Sequence, residues 1–117
     1  MALRTKTHFW DDGLILRCVG RLVAGSETIT FRQRVEKLLS AKRNVVINLA
    51  QVDYIDSTGV ATLAYFLAQN SDSETGTRLV SSRSNLTELL RRTRLDTVIT
   101  VYADEQDAIA SFAKQRS

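Results

Sequence analysis

One segment near the middle of the chain constrains the fold more than any other. Residues 45–49, Val-Val-Ile-Asn-Leu, are almost continuously apolar, which is typical of a strand buried on both faces of a sheet. The extended pattern continues through Ile55 to Asp56. From Ser57 the apolar residues recur at helical spacing instead. A buried strand followed directly by a helix is the repeating unit of α/β proteins, so this class is predicted.

The N-terminal part of the chain predicts an antiparallel hairpin. Residues 3–10 contain several β-favouring side chains, and residues 14–19 form a second apolar run that ends at Gly20. Asp11-Asp12-Gly13 between the two runs is a typical tight turn. The hairpin is therefore predicted to supply the first two strands of the sheet.

Strand and helix patterns alternate in the rest of the chain. Helices are predicted from Ser26, from Ser57, from Ser84 or Asn85, and after Asp104, and further strands are predicted at 77–81 and 97–102. Alternation of this kind implies right-handed crossovers and parallel pairing. We therefore predict a mixed sheet of about four or five strands, with an N-terminal antiparallel hairpin and mainly parallel strands after it, packed with about four helices.

Composition narrows the possible functions. The 117 residues fit a single domain spanning 1–117, and 16 basic against 13 acidic residues give a net charge of only +3. The short basic clusters have no interleaved aromatic residues, so a nucleic-acid groove is not expected. Cys18 and His8 are the only cysteine and histidine, which argues against a disulfide and a His/Cys metal site. No apolar leader or long apolar run is present, so we expect a cytoplasmic protein without membrane insertion.

Asp56-Ser57-Thr58-Gly59 joins the buried strand to the next helix, at the carboxyl edge of the predicted sheet, where sites collect. Asp56 is predicted to cap the N–H groups of Thr58 and Gly59. The two hydroxyls would then lie at the positive end of a helix dipole, which suits a phosphorylated Ser or Thr. Gly59 is expected to leave the backbone open to a phosphate or a partner loop. Taken alone, these four residues are better explained by ordinary helix capping, since Asp, Ser and Thr are the preferred cap residues.

The sequence around these residues resembles a known family. Residues 45–49 together with Val52-Asp53-Tyr54-Ile55-Asp56-Ser57-Thr58-Gly59 resemble the signature of STAS domains, and in particular of bacterial anti-sigma factor antagonists. The resemblance covers nearly the whole chain, through Gly20-Arg21-Leu22, Arg78-Leu79-Val80, Thr93-Arg94-Leu95-Asp96 and Asp104-Glu105-Gln106-Asp107-Ala108. It implies a binding protein rather than an enzyme, with no cofactor.

The resemblance also implies a switch. In the family the residue before the motif glycine accepts a phosphate, and that residue here is Thr58. The unphosphorylated form binds an anti-sigma factor, often itself a serine/threonine kinase, and so releases the sigma factor; the phosphorylated form dissociates. Asp56, Ser57 and Gly59 would share the partner-binding surface. Arg21 and Arg83, which each follow a predicted strand, are candidate phosphate contacts, although solvated arginines are the default expectation.

Three positions depart from the family pattern. Thr58 replaces the commoner serine, and Val23 stands where the family usually has an acidic residue. Arg94 replaces a glycine where the backbone often takes a positive φ, which predicts a strain of about 1 kcal/mol.

Two other functions fit the same residues. One is an accessory subunit that docks on the ATPase of a lipid-transporting ABC complex through the Thr58 helix. The other is a module that binds a small anion or nucleotide at the Thr58 loop. Catalysis by Ser57 or Thr58 would require an adjacent base, and the single histidine, His8, lies in a predicted strand. The sequence leaves both a monomer and a homodimer open.

Overall fold

The computed structural model describes residues 3–41, 43–69, 76–81, 84–92, 94 and 101–116. These residues form five strands and four helices, which confirms the predicted α/β class. The strands are β1 (Leu3–Trp10), β2 (Gly13–Leu22), β3 (Asn44–Ile55), β4 (Thr77–Val80) and β5 (Val101–Tyr102). The helices are α1 (Ser26–Ser40), α2 (Ser57–Gln69), α3 (Ser84–Arg92) and α4 (Glu105–Arg116).

The strands lie in the order β1-β2-β3-β4-β5 in one sheet. β1 and β2 pair antiparallel, and the pairs β2–β3, β3–β4 and β4–β5 are parallel, so the predicted mixed sheet is confirmed. The strand predicted at 97–102 is described only at its last two residues; residues 97–100 lie outside the described part of the chain. The carboxyl ends of the parallel strands share one edge of the sheet, and α2 begins there.

The two faces of the sheet have separate cores because successive side chains of a strand point to opposite faces. On β3, Val45 and Ile47 belong to one core and Val46 to the other. The larger core packs against α1, α2 and α3, and includes Phe31, Leu63 and Leu86. The smaller core packs against α4 through Ala108 and Phe112, with Trp10 partly buried beside them. Residues 45–49 of β3 are therefore covered on both faces, as their continuous apolar run predicts.

The end of β2 differs from the prediction. The strand continues past Gly20 to Leu22, and the register with β3 shifts between Gly20 and Arg21. Gly20 has a φ of 113°, which a glycine adopts readily and other residues do not. Gly20 therefore permits a bulge within β2 and does not end the strand. The extension carries the fully buried Leu22 to the place where α2 begins.

β4 is much shorter than its neighbour β3. It pairs with β3 only from Val45 to Asn48. Residues 49–55 of β3 run past the end of β4 and pair with β2 over much of that length. This projecting half of β3 connects the centre of the sheet to the first residue of α2.

The prediction for the backbone at Arg94 is confirmed, and the structure also shows where Cys18 lies. Arg94 has a φ of 60°, so an arginine occupies the left-handed conformation expected at this position. Cys18 is buried, and burial raises the pKa of its thiol to about 12, so the thiolate form that reacts is scarce at neutral pH.

The described residues include no group of three or more His, Cys, Asp or Glu placed to hold a metal ion. Within the same part of the chain, no helix has both the length and the apolar character needed to cross a membrane.

Candidate functional site

Asp56 caps helix α2 as predicted. Its Oδ1 accepts a hydrogen bond from the Gly59 N–H at 2.9 Å, and its main-chain oxygen accepts one from the Val60 N–H at 3.0 Å. The hydrogen bonds donated by the main chains of Gly59 and Ala24 lower the pKa of the Asp56 carboxyl. The carboxylate is therefore ionised at neutral pH and lies at the positive end of the α2 dipole.

The second oxygen of Asp56 holds a different segment. Oδ2 accepts a hydrogen bond from the Ala24 N–H at 3.0 Å, and the Asp56 N–H donates to the Leu22 main-chain oxygen at 3.2 Å. One side chain thus joins the first turn of α2 to residues 23–25, the connection between β2 and α1. The sequence could not indicate this contact, since a main-chain donor is present at every residue except proline.

Gly59 is needed by the chain's own packing. A Cβ atom at this position would lie 2.3 Å from the Leu22 main-chain oxygen and 2.8 Å from Cγ2 of Ile55. The prediction that Gly59 leaves room for a phosphate or a partner loop is therefore corrected: the end of β2 occupies that space. Gly59 is buried and is not part of the exposed surface. Because it has no side chain, α2 can pack closely against the end of β2.

Ser57 and Thr58 are exposed on the first turn of α2. That turn contains no acidic residue. The Thr58 main-chain oxygen accepts a hydrogen bond from Oγ1 of Thr62 at 2.9 Å, so the backbone of Thr58 is part of the helix while its side chain faces solvent. An added group on this hydroxyl would extend away from the core.

The exposed surface continues along α2. Thr58, Ala61 and Tyr65 are all exposed, and their spacing of three and four residues puts them on one side of the helix. We call these three residues the α2 stripe. Val60 and Leu63, which are buried, lie on the opposite side of α2 from the stripe.

A second helix borders the stripe. The guanidinium carbon of Arg32, on α1, lies 4.8 Å from the ring centroid of Tyr65, within the range of a cation–π contact. Sequence reasoning missed Tyr65, although its distance of seven residues from Thr58 was a usable signal. The Arg32 contact depends on how two helices pack, and a single sequence does not indicate that.

The two arginines predicted as phosphate contacts have different outcomes. Arg21 is exposed, and its guanidinium carbon lies 5.2 Å from the ring centroid of Tyr54, its register partner on β3. Arg83 lies outside the described residues. Asp56, Ser57, Thr58 and Gly59 are thus brought together at the start of α2, while Arg21 lies against the end of β3.

His8, the single histidine, is remote from this site. It pairs with Ile15 on β2, seven residues before Leu22, a distance of roughly 20 Å along the strand. The base that nucleophilic catalysis by Thr58 would require is therefore not supplied by this histidine.

Comparisons with known proteins agree with this architecture. The family model described as STAS domain matches residues 2–108. A search of curated proteins finds no match. An anti-sigma factor antagonist from Mycobacterium paratuberculosis is 21% identical, with a TM-score of 0.77 over 96% of this chain and 95% of that one.

The anti-sigma factor antagonist SpoIIAA has been solved in two forms that resemble this chain. Its unphosphorylated form is 14% identical, with a TM-score of 0.75 over 95% of this chain and 97% of that one. The phosphorylated form of SpoIIAA, a Bacillus cell fate determinant, is 14% identical, with a TM-score of 0.67 over 92% of this chain and 98% of that one. At these identities the likeness shows a shared fold.

Proposed function

This chain belongs to the STAS domain family, and from that premise we propose that it is an anti-sigma factor antagonist switched by phosphorylation of Thr58. In this proposal the unphosphorylated protein binds an anti-sigma factor with serine/threonine kinase activity and so releases a sigma factor. Phosphorylation of Thr58 dissociates the complex. The protein acts in the cytoplasm and regulates transcription by binding, without catalysis of its own.

The exposed Thr58 hydroxyl on the first turn of a capped helix carries the proposal. A phosphate at this position would lie near the main-chain N–H groups at the start of α2 and at the positive end of its dipole. It would add about −1.5 to −2 charges without entering the core. The fold can therefore accept the modification, and its effect would fall on whatever is docked there.

The charge already present makes the surface sensitive to phosphate. The Asp56 carboxylate lies two residues before Thr58 and is ionised at neutral pH. A partner that covers both residues would have to desolvate the phosphate beside a like charge, a cost of several kcal/mol. A hundredfold loss of affinity corresponds to only about 3 kcal/mol.

The α2 stripe supplies the rest of the docking surface. Ala61 is small and Tyr65 is 41% exposed, so the partner would meet an aromatic ring and a flat helix face next to the hydroxyl. Aromatic side chains are enriched where proteins meet. Asp56 and Ser57 border this surface, and Gly59 supports it from beneath.

The comparisons support the proposal in two ways. The Mycobacterium paratuberculosis structure and unphosphorylated SpoIIAA are both described as anti-sigma factor antagonists. SpoIIAA, a protein with this fold, exists in phosphorylated and unphosphorylated forms, so the fold is compatible with a phosphate.

Affinity capture from a lysate of the native host tests the proposed partner and switch together. The baits are the wild-type chain, Thr58→Ala, Thr58→Asp and, as a charge-matched control, Ala110→Asp, which adds an exposed carboxylate on α4, on the other side of the sheet. We expect all except Thr58→Asp to retain an ATPase of the serine/threonine kinase type. Equal retention by Thr58→Asp would contradict the switch. Capture of an ABC-transporter ATPase would replace the proposal with the accessory-subunit function.

Mass spectrometry of the protein purified from its host tests the modification directly. The peptide containing residues 56–59 should carry one phosphate on Thr58 in part of the population. A phosphate found only on Ser57 would move the acceptor by one residue. An unmodified peptide under every growth condition tried would contradict the proposal.

A further inference from the structure

Helix α4 covers only part of its face of the sheet. It begins at Glu105, which accepts hydrogen bonds from Arg17 on β2. From there it runs towards the hairpin, where the ring centroid of Phe112 lies 6.1 Å from that of Trp10. Both β2 and β3 continue in the opposite direction, past the start of α4. Their last residues therefore leave an uncovered area on this face.

The side chains of that area can be assigned from the strand geometry. Successive residues of a strand point to alternate faces, and Arg17 contacts α4, so the residues two and four positions after it lie on the same face. The register partners of these residues lie there too. The resulting surface, which we call the open face, consists of six exposed residues: Arg4 and Lys6 on β1, Val19 and Arg21 on β2, and Gln51 and Tyr54 on β3.

The centre of the open face is apolar. Val19 is 38% exposed, and it lies between its register partners Arg4 and Gln51 on the two neighbouring strands. Tyr54, at the end of the face, is 51% exposed. A partner that covers these side chains would remove apolar surface from water, which favours association.

The open face carries positive charge that is not cancelled within the sheet. Arg4, Lys6 and Arg21 form no salt bridge with any residue that the structure describes. Strands β1, β2 and β3 together contain one acidic residue, Asp53. The charge of Arg17, at the border of the face, is already balanced by α4. Three cations against one carboxylate make this face attractive to an anionic partner.

The aromatic contact on the open face favours a protein over a nucleic acid. The guanidinium carbon of Arg21 lies 5.2 Å from the ring centroid of Tyr54, so an arginine and a tyrosine, two residue types enriched in binding hot spots, are already in contact. Tyr54 is the only aromatic residue of the face, whereas single-stranded nucleic acids bind through several stacked bases. A second copy of the chain would bring like charges together.

We propose that the open face binds an acidic segment of a partner protein that also carries aliphatic side chains. Its carboxylates would lie at Arg4, Lys6 and Arg21, and an aliphatic side chain would cover Val19. The open face is on the opposite side of the sheet from α2, so this second docking surface goes beyond the function proposed for Thr58.

Titration of the purified full chain with a short peptide, in which glutamates flank two leucines, tests the proposal through backbone amide NMR shifts. We expect saturable shifts at Arg4, Val19 and Tyr54. Arg21→Glu should weaken binding by about tenfold, because it replaces attraction with repulsion. Lys37→Glu is the matched control, since it makes the same change of charge at an exposed residue of α1, on the other face of the sheet. It should change the affinity by less than about twofold.

A peptide with serines in place of the leucines should bind several-fold more weakly. Equal affinity of the two peptides would overturn the apolar contact at Val19. Equal effects of Arg21→Glu and Lys37→Glu, or no saturable shifts on the open face, would overturn the site itself.

Two further measurements exclude other occupants. Oligothymidylate that binds the open face as tightly as the leucine peptide would replace the protein partner with a nucleic acid. Shifts of the same residues with concentration of the free chain would replace it with a second copy. Thr58→Asp should bind the peptide with unchanged affinity, so the outcome is independent of the switch proposed at Thr58.

Discussion

Helices α2 and α4 begin with the same device and use it differently. Each follows an aspartate whose Oδ1 accepts the N–H of the third residue along: Asp56 binds Gly59 at 2.9 Å, and Asp104 binds Asp107 at 2.8 Å. The first turn of α4 contains two acidic residues, whereas the first turn of α2 contains none. The starts of α2 and α4 therefore share the same kind of cap, and they differ in the residues that follow it.

The acidic turn of α4 is fixed to the sheet by side chains. Glu105 accepts hydrogen bonds from Arg17 at 2.8 and 2.9 Å and from Asn48 at 2.6 Å. The start of α2 is held instead by its cap and by the close approach of Gly59 to Leu22, which leaves Ser57 and Thr58 exposed. One helix start anchors the fold, and the other presents two hydroxyls outward.

The largest expected difference between the two helix starts concerns the third residue after each cap. Gly59→Ala should lower the free energy of unfolding by about 3 kcal/mol, because its Cβ would overlap the Leu22 main-chain oxygen. Asp107→Ala puts the same residue at the matched position of α4, where the side chain is exposed, and should cost under about 1 kcal/mol. Urea denaturation measures both. Similar losses would mean that α2 does not rest on β2 as described.

Removal of the two caps should lower the free energy of unfolding by amounts that differ by a factor of about two. Asp56→Ala removes the hydrogen bonds to Gly59 and to Ala24, and should cost about 2 kcal/mol. Asp104→Ala removes one side-chain cap and should cost about 1 kcal/mol. Chemical denaturation of the two variants at neutral pH gives both values. If Asp56→Ala lost no more stability than Asp104→Ala, the Ala24 contact would contribute no stability.

The ion pair of α4 should appear in the pH dependence of stability. The Arg17 guanidinium, followed by the Asn48 amide, lowers the pKa of Glu105 to about 2 from 4.5. Because the folded-state pKa is the lower one, this contribution is complete above about pH 4.5 and disappears as the pH falls towards 2.

Arg17 is 43% exposed and therefore screened, so Glu105→Gln should cost about 1 kcal/mol at neutral pH. Denaturation across this pH range gives the free energy of unfolding of the wild-type chain and of Glu105→Gln. The difference between the two values should shrink as the pH falls. A difference that stays constant with pH would contradict the role assigned to the charge of Glu105.

The smallest effect is expected where an anion is added. Thr58→Asp should change the free energy of unfolding by less than about 0.5 kcal/mol, since attraction to the helix dipole offsets repulsion from Asp56. Gln106→Asp, the matched position on α4, adds a third acid beside Glu105 and Asp107 and should be slightly unfavourable. Thermal and urea denaturation compare the pair. A loss above about 1 kcal/mol for Thr58→Asp would show that the fold resists an anion at this site.

Local features of this molecule were predictable from the sequence. The continuous apolar run of β3 and the change of period at Ser57 locate the strand and the helix, and an aspartate before the helix is a sufficient signal for the cap. The exposure of Thr58 follows from its place on the first turn. The positive φ of Arg94 was expected from the glycine of related sequences, because backbone conformation at a helix end depends on few neighbours.

Features that depend on distant parts of the chain were not predictable. Gly20 is equally suited to a strand end and to a bulge, and only the pairing of β2 with β3 decides between them. The close approach that requires Gly59 depends on the position of Leu22, far away in sequence.

The absence of a side chain at Gly59 has a practical consequence for protein engineering. Because α2 is supported from its inner side, its outer positions at Thr58, Ala61 and Tyr65 can be replaced as a set to create a new recognition sequence. A library that randomises those positions and keeps Asp56 and Gly59 constant would test binding specificity on an unaltered scaffold.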